Sequence, residues 1–461
     1  MATKQLQQAL DTVTQWSLQW KMTLSAEKSE VILFTNDNHQ AKLQPTLRLN
    51  NTVLPYNPSP TFLGVTLDRT LSFRPHVNKV KDKMKKRNQT IKALSGTSWG
   101  GNKEDLSIIF RAYSLSCATY CSAAWMSSTS KSILQSLQTC LNEGARIITG
   151  CCKGSPEDLT LIEAGLIPLQ TTATIAAATA YERARRLPAN NPLSHIVTEK
   201  IRPRIRKKAW REVGLTAAKE ARTDQLPVMP LLVNPPIAPW SQARLNSITF
   251  HSTLIEPASK SDLPDRLRDI TERTLEALPR PDYSLWTDGS AAEGTRRGGA
   301  GIVIFHGEQQ VCTISEPAGA ATSSYNSEMH AILVGLKWLS NLPVPEHSLA
   351  LLCSDSLSAI THLTAGPSSP ITSQEAGIWT ELHNLTDRNI RITFQWDPGH
   401  SGILGNELAD SAAKDGCQAQ QTEALVSFRA AKATITRHFK SSYIASLAPH
   451  RVTGRPRPPP H

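Results

Sequence analysis

The sequence predicts an α/β chain, with a mixed five-stranded sheet flanked by helices in its C-terminal third and a mostly helical region before it. From residue 283 onward, short β-prone runs alternate with segments of helical periodicity, which is the pattern of α/β units. Residues 105–186 instead repeat apolar side chains at helical spacing only. At 461 residues, the chain is long enough for about two or three domains.

The composition indicates which kind of partner the protein binds and which classes of protein can be excluded. The 50 Lys and Arg against 39 Asp and Glu give a formal charge of +11, which favours a polyanionic partner such as nucleic acid. No apolar window reaches the length of a membrane span, and the first residues lack the apolar core of a secretory signal, so we expect an intracellular protein. The 8 cysteines lack the spacing of a zinc site, and Cys117 and Cys121 are expected to be small buried apolar residues.

The N-terminal part begins with helical periodicity over residues 6–28 and continues with β-prone runs at 31–35 and 47–54. A further strand pattern at 61–68 contains Gly64 within an apolar run, which indicates a bulge or a close backbone approach. Helices are predicted after it at 76–95, 106–124, 132–149 and 169–186. The first of these helices is basic, and its cationic side chains are Lys79, Lys81, Lys83, Lys85, Lys86 and Arg87.

The composition changes after residue 186. Residues 187–282 combine Pro-rich stretches with a basic cluster between Lys200 and Arg211, which predicts a partly ordered linker. Residues 418–461 are predicted to form a basic, Pro-rich tail that is partly disordered. Between them, residues 283–417 predict one α/β unit. Its elements are strands at 284–287, 299–306, 310–315, 349–354 and 390–396, and helices at 327–339 and 406–414.

Four acidic residues fall where these elements meet at one edge of the sheet. Asp288 ends the first strand and Asp355 ends the fourth, whereas Glu328 opens the first helix. Asp410 lies on the last helix. Carboxylates from several elements, without cysteine and with few histidines, are the ligands that Mg²⁺ and Mn²⁺ prefer. The four residues are therefore candidate ligands of a divalent-metal site at the usual binding edge of an α/β sheet.

Each of these residues also has a simpler explanation when it is taken alone. Asp355 could cap the N-terminus of a following helix, and Glu328 could interact with the dipole of the helix it opens. His400 lies in a glycine-rich loop before the last helix, where it could assist proton transfer or product departure, although a lone loop histidine is ordinarily inert. The occurrence of the whole set at one edge favours the metal site.

Four segments carry a resemblance to a known family. They are Thr287-Asp288-Gly289-Ser290, Ser327-Glu328-Met329-His330-Ala331, Cys353-Ser354-Asp355-Ser356 and the block from Gly399-His400 to Asp410. In order and spacing they resemble the signature segments of type 1 ribonuclease H, over residues 283–417. The resemblance implies a ribonuclease H-like fold for this unit, with the mixed five-stranded sheet and its flanking helices.

The resemblance also implies a reaction and the residues that perform it. The reaction is endonucleolytic hydrolysis of the RNA strand of an RNA–DNA hybrid, with two Mg²⁺ ions that Mn²⁺ can replace. The implied ligands of the ions are Asp288, Glu328, Asp355 and Asp410. The implied role of His400 is to help deprotonation or product release. Contacts to RNA 2′-hydroxyl groups are implied at Gly289, Ser290 and Asn326.

The N-terminal part resembles the end of a non-LTR retrotransposon reverse transcriptase. The segments that carry this resemblance are Trp16-Ser17-Leu18-Gln19-Trp20-Lys21-Met22, Lys28–Phe34 and Phe62–Asp68. It implies a palm remnant over residues 1–75, with a primer-grip-like turn at Phe62–Val65, and a helical thumb and connection over residues 76–186. Polymerisation requires paired aspartates, and no Asp-Asp pair occurs in the sequence. We therefore expect a truncated retrotransposon-derived polypeptide without polymerase activity.

Three functional hypotheses follow from these patterns. The first is an RNA–DNA hybrid ribonuclease, and the second is a non-catalytic nucleic-acid-binding remnant of a retroelement. The third keeps the fold and changes the substrate, as in resolvases, integrases and exonucleases, which the loop containing Gly399-His400 disfavours. Residues 283–417 contain 6 basic and 14 acidic residues, so we expect the basic segments 79–87 and 200–211 to contact the nucleic-acid backbone.

Overall fold

The computed structural model describes most of the chain and divides it into two compact units. Unit 1 comprises Met1–Tyr181, Glu199–Ala221 and Ile435–His461, and unit 2 comprises Glu182–Thr198 and Arg222–Thr434. The described residues are 2–96, 99–198, 209–232, 246–258, 262–292, 296–367, 371–399, 401–421 and 425–447. The predicted basic segment therefore lies outside them over residues 200–208. Among these described ranges, no helix has the length and apolar character that crossing a bilayer requires.

Helices predominate along the chain, and the longest strands lie after residue 282. The helices are α1 (Ala2–Gln19), α2 (Arg74–Ala93), α3 (Lys103–Ile109), α4 (Ser116–Thr119), α5 (Ser122–Trp125), α6 (Lys131–Thr149), α7 (Glu157–Glu163), α8 (Leu169–Ala184), α9 (Pro192–Thr198), α10 (Trp210–Glu220), α11 (Pro264–Glu276), α12 (Ser324–Asn341), α13 (Leu357–Thr364), α14 (Ser373–Asp387), α15 (Leu404–Gln418) and α16 (Phe428–Ser446). The strands are β1 (Arg48–Leu49), β2 (Thr52–Val53), β3 (Thr61–Phe62), β4 (Val65–Thr66), β5 (Leu231–Leu232), β6 (Ile248–His251), β7 (Tyr283–Ala292), β8 (Arg296–His306), β9 (Gln309–Gly319), β10 (Leu349–Ser354), β11 (Ile371–Thr372) and β12 (Arg391–Trp396).

Unit 1 is mainly helical, and its largest core forms where α2 packs against α6. The apolar residues Val77, Val80 and Met84 of α2 are buried at helical spacing, while the lysines between them face outward. Helix α6 begins where the Ser130 hydroxyl accepts a hydrogen bond from the Ile133 N–H. It ends at Gly150, which adopts a left-handed conformation with φ 70°.

Several predictions for unit 1 are corrected by the structure. The predicted helix over 106–124 is divided into α3, a π-helix at Phe110–Leu115, α4 and α5. The break between α4 and α5 lies at Cys121, which adopts a left-handed backbone with φ 48°. Cys121 is exposed, so its predicted burial is wrong. The predicted strand at 31–35 is reduced to a single bridge between Val31 and Tyr56, since no neighbouring strand among the described residues pairs with the rest of the run.

Unit 2 contains the mixed sheet, which confirms the predicted α/β class. The strand order is β6-β12-β10-β7-β8-β9. Strands β7, β8 and β9 are antiparallel neighbours, whereas β10 pairs in parallel with both β7 and β12. Counted over the described ranges, the sheet thus has six strands rather than the predicted five, because β6 pairs in parallel with β12 at one edge.

Alternating side chains place a helical layer on each face of the sheet. Leu285 of β7 and Leu352 of β10 belong to the core that the sheet forms with α12 and α14. Trp286 and Leu351, one residue away, pack on the opposite face together with residues of α15. Gly301 of β8 allows α15 to approach closely, since a Cβ there would lie 2.0 Å from the Ala409 carbonyl oxygen.

The edge strand β6 comes from the predicted linker. It is only four residues long, and its stability comes from the ladder with β12 and from Phe250, whose ring stacks on Phe394 with centroids 4.8 Å apart. The run is short and lies in Pro-rich surroundings, so its own sequence gives a weak strand signal. In the predicted tail, the described residues include the helix α16 (Phe428–Ser446).

A buried charge network holds the beginning of unit 2 together. The carboxylate of Glu182 accepts hydrogen bonds from Arg185 Nε at 2.9 Å, from Thr223 Oγ1 at 2.8 Å and from the guanidinium of Arg186. The Arg186 guanidinium also donates to the Val426 carbonyl oxygen at 3.4 Å. The side chains of Glu182 and Arg186 have 0% exposure, and burial lowers the pKa of Arg186.

Candidate functional site

Three of the predicted carboxylates meet just beyond the last pair of the parallel ladder between β7 and β10. Asp288 does not end its strand as predicted, because β7 continues to Ala292 by pairing with β8. Asp288 is a residue of β7, and Asp355 directly follows the last residue of β10. Because Thr287 pairs with Ser354 across these parallel strands, the two aspartates emerge at the same edge. Glu328 reaches them from the N-terminal part of α12, and carboxylate oxygens of the three residues lie within 4.8 Å of one another.

Gly289 is what lets α12 come this close to β7. A Cβ at this position would lie 2.0 Å from the backbone nitrogen of Glu328 and 2.4 Å from the carbonyl carbon of Ser327. No side chain fits in that space, since both contacts are with backbone. Gly289 therefore determines the distance between Asp288 and Glu328.

We expect Gly289→Ala to destabilise the fold and to misplace Glu328. The cost of overpacking is about 1–3 kcal/mol, and a displacement near 1 Å at a reacting centre lowers activity by about 10²-fold. Urea unfolding and hybrid-cleavage rates measure the two effects. Gly307→Ala, in the turn between β8 and β9 where no atom lies within 4 Å of the added Cβ, is the steric control, although its φ of 61° carries its own strain. Equal activity losses in the two variants would contradict the role given to Gly289.

Two of the three carboxylates, those of Asp288 and Glu328, lie in an environment that disfavours their charged forms. Burial, followed by the charges of Asp355 and Asp410, raises the pKa of Asp288 from 3.8 to about 7. Burial and the charges of Asp288 and Asp355 raise the pKa of Glu328 well above its ordinary value. The Oε2 atom of Glu328 is buried and has no hydrogen-bond partner among the described residues. Clustered, buried and unpaired carboxylate oxygens suit a divalent cation, which would supply the missing positive charge.

This charge cluster predicts a specific pH dependence of stability. Because the folded-state pKa of Asp288 is raised, the metal-free folded protein binds protons more tightly than the unfolded chain, and its stability falls as the pH rises from about 4 through 7. Relative to Asp288→Asn, the wild type in EDTA should thus lose thermal stability between about pH 5 and pH 8. Mg²⁺ should raise the melting temperature of the wild type more at pH 8 than at pH 5. A difference between the two proteins that stays constant with pH would contradict this prediction.

Asp410, the fourth predicted ligand, lies beside this group rather than within it. It projects from α15, and its Oδ2 lies 2.6 Å from Nζ of Lys414, one helical turn later. The charge of Asp410 contributes to the raised pKa of Asp288, so the two side chains lie within electrostatic reach. The structure therefore brings three predicted ligands together and places the fourth nearby in an ion pair.

Asp397 adds a buried carboxyl group that the sequence patterns did not single out. It follows β12 as Asp355 follows β10, because Trp396 pairs with Ser354 in the parallel ladder. Asp397 is 0% exposed, and its Oδ2 has no hydrogen-bond partner in the described part of the chain. Burial, then the charge of Asp355, raises its pKa to about 7. Its sequence signal is the one that identified Asp355, an acidic residue directly after a β-prone run.

The remaining predicted site residues have different environments. His400 lies outside the described residues, and its role stays a prediction. The preceding Gly399 lies against the site, since a Cβ there would be 2.4 Å from Oδ2 of Asp355. Ser290 is partly exposed on β7. Asn326 is buried, and its side-chain amide donates a hydrogen bond to the Ser427 hydroxyl instead of pointing freely outward.

Comparisons with known proteins agree with the position of this site. The family described as RNase H matches residues 280–418, which include all the predicted ligands. The ribonuclease H of Saccharopolyspora erythraea is 31% identical over 144 residues, covering 29% of this chain and 88% of that protein. The ribonuclease H of Cyanothece sp. is 27% identical over 151 residues, covering 30% of this chain and 91% of that protein.

The N-terminal part matches a different kind of protein. The RNA-directed DNA polymerase from mobile element jockey of Drosophila funebris is 31% identical over 86 residues. This match covers 19% of the present chain and only 9% of the polymerase. The bacterial match, in contrast, extends over nearly a whole protein at 31% identity. On that basis the chain belongs to the ribonuclease H family, through its residues 280–418.

Proposed function

We propose that this protein hydrolyses the RNA strand of RNA–DNA hybrids endonucleolytically. The observation that carries the proposal is the group of Asp288, Glu328 and Asp355, whose carboxylate oxygens lie within 4.8 Å of one another at the strand ends. The match of residues 280–418 to RNase H, and the relatives named ribonuclease H, support a hydrolase of this kind.

The donor set fits Mg²⁺ or Mn²⁺, because it consists of carboxylate oxygens without thiolates or imidazoles. Asp288, Glu328 and Asp355 would hold the metal, and Asp410 could join them by exchanging its ion pair with Lys414 for a metal bond. Two such ions, if held there, would supply charge to activate a water molecule and to stabilise the leaving 3′-oxygen. The chain itself contributes a fixed geometry, since Gly289 sets the approach of Glu328 and the ladder between β7 and β10 sets that of Asp355.

Recognition of RNA by this site is proposed at the end of β7. The backbone polar groups of Gly289 and the partly exposed hydroxyl of Ser290 lie there. Both kinds of group can form a hydrogen bond with a 2′-hydroxyl of RNA. A contact from the Asn326 side chain requires that its hydrogen bond to Ser427 be exchanged. We also propose that the exposed lysines on α2, which are Lys79, Lys83, Lys85 and Lys86, contact the nucleic-acid backbone.

The test uses the full chain and three duplexes labelled on one strand: RNA–DNA, RNA–RNA and DNA–DNA. We expect Mg²⁺-dependent cleavage of the RNA strand of the hybrid alone, leaving 5′-phosphate and 3′-hydroxyl ends, and no cleavage in EDTA. Asp355→Asn, purified in the same way, reports any contaminating nuclease. Hybrid binding without cleavage would indicate a non-catalytic nucleic-acid-binding protein, and cleavage of DNA would indicate a different nuclease on the same fold.

A further inference from the structure

Arg429 is an exposed cation held near the carboxylate site by a segment outside the matched residues 280–418. Its guanidinium carbon lies 4.2 Å from the centroid of the Tyr325 ring. Tyr325 is in the first turn of α12, three residues before Glu328, so Arg429 contacts a side chain of the helix that carries one of the candidate metal ligands. Within the described residues, Arg429 has no carboxylate partner.

The backbone that carries Arg429 is anchored in unit 2. The Val426 N–H donates to the Pro227 carbonyl oxygen at 2.8 Å, and the Val426 carbonyl oxygen accepts from the Met229 N–H at 3.1 Å. The Ser427 hydroxyl accepts from the Ala430 N–H at 3.2 Å and receives the amide of Asn326. Val426 and Ala430 are buried. The guanidinium is thus presented from a fixed position rather than from a free end.

The polar side chains near Arg429 are engaged with one another, so the N–H groups of its guanidinium are available to bind a ligand. His362, whose pKa is raised by its hydrogen bond to Glu375, lies within electrostatic reach of Arg429. The Glu375 side chain is only 13% exposed, and it is occupied by His362 at 3.0 Å and by the Thr372 N–H at 2.7 Å. The Tyr325 ring lies against the guanidinium carbon, and no described residue accepts a hydrogen bond from Arg429, so its N–H donors can bind a phosphate in a bidentate manner.

We propose that Arg429 binds a backbone phosphate of the RNA–DNA hybrid beside the scissile site. The proposal rests on the proposed function for its substrate. Residues 283–417 carry 14 acidic and 6 basic residues. The net negative charge of this segment therefore repels a polyanion that approaches the carboxylates. Arg429, on α16, supplies a positive charge against the first turn of α12, the helix that carries Glu328.

The test measures hybrid binding separately from cleavage, by fluorescence anisotropy in EDTA with the full chain. Arg429→Gln should weaken hybrid binding by about tenfold, the usual worth of a charge-assisted hydrogen bond, and should lower the slope of log K against log salt by about 0.9. Arg429→Lys should retain most of the salt slope and lose part of the affinity. Arg280→Gln makes the same change of charge and is the control, since Arg280 precedes β7, is 81% exposed and pairs with Glu308 at the surface.

Equal affinity and an equal salt slope in Arg429→Gln and the wild type would overturn the proposal, as would an equal loss in Arg280→Gln. Unchanged thermal melting of Arg429→Gln would show that a loss of affinity is not caused by unfolding. If the wild type cuts no hybrid but Arg429→Gln still binds it more weakly, the proposed reaction fails while the phosphate contact stands.

Discussion

Replacing Asp288 by Asn should reduce hydrolysis of the RNA strand by about 10³-fold or more, since metal-ion catalysis contributes several kcal/mol and each 1.36 kcal/mol is about tenfold in rate. The carboxylate of Asp288 lies within 4.8 Å of those of Glu328 and Asp355, and we propose it as a ligand of the metal. Asn keeps the shape of the side chain and removes its charge. The loss should therefore appear in kcat rather than in hybrid affinity.

The same substitution should leave the fold intact, and without metal it should increase stability at high pH. The ionised Asp288 is costly in this buried position, where its pKa is raised to about 7, whereas Asn is neutral at every pH. Asp415→Asn is the matched control, because Asp415 is exposed on α15, the helix that carries Asp410. A rate within tenfold of the wild type, or an equal loss in Asp415→Asn, would contradict the role proposed for Asp288.

Replacing Glu182 by Ala should destabilise unit 2 by about 3–5 kcal/mol, because it leaves the buried guanidinium of Arg186 without its counter-ion. The substitution also removes the acceptor of Arg185 and of the Thr223 hydroxyl. Urea unfolding of the full chain, followed by far-UV circular dichroism, measures the change. Glu163→Ala is the control, since Glu163 pairs with Lys103 at the surface, where both side chains are largely exposed and screened by solvent.

A second variant separates the loss of the ion pair from the loss of packing. The double substitution Glu182→Leu with Arg186→Met replaces the charges by apolar groups of similar volume and should recover much of the stability lost in Glu182→Ala. If Glu182→Ala unfolds at the wild-type urea concentration, the pair does not hold this part of unit 2 together.

Local patterns in the sequence were sufficient where an element is long and strongly periodic. The β-prone runs at 284–287 and 349–354 predicted strands that the structure contains within β7 and β10. The position of an acidic residue at each strand end then predicted that Asp288 and Asp355 would emerge at one edge. Such predictions succeed because the β-propensity of a short apolar run is a property of the local chain.

Other features depend on residues far apart in the chain, and the local sequence carries little sign of them. Asp397 has the same local signal as Asp355, but only the ladder between β10 and β12 shows that both reach the same buried edge. Asn326 is separated from Ser427 by 101 residues, so its hydrogen bond could not be expected from either segment. The strand β6 lies in a Pro-rich region and becomes a strand because β12 offers it a partner.

The sequence by itself determined the class of fold, the family of residues 280–418 and the edge where acidic residues gather, since these follow from periodicity, strand order and motif spacing. The tertiary structure decided which acidic residues are buried together, how Gly289 sets their separation, and which outside residues surround them. The contact between the Arg429 guanidinium and the Tyr325 ring is an example of a feature that depends on the tertiary structure. The physical reason is that burial and electrostatic coupling arise from contacts between distant segments, and these exist only once the chain has folded.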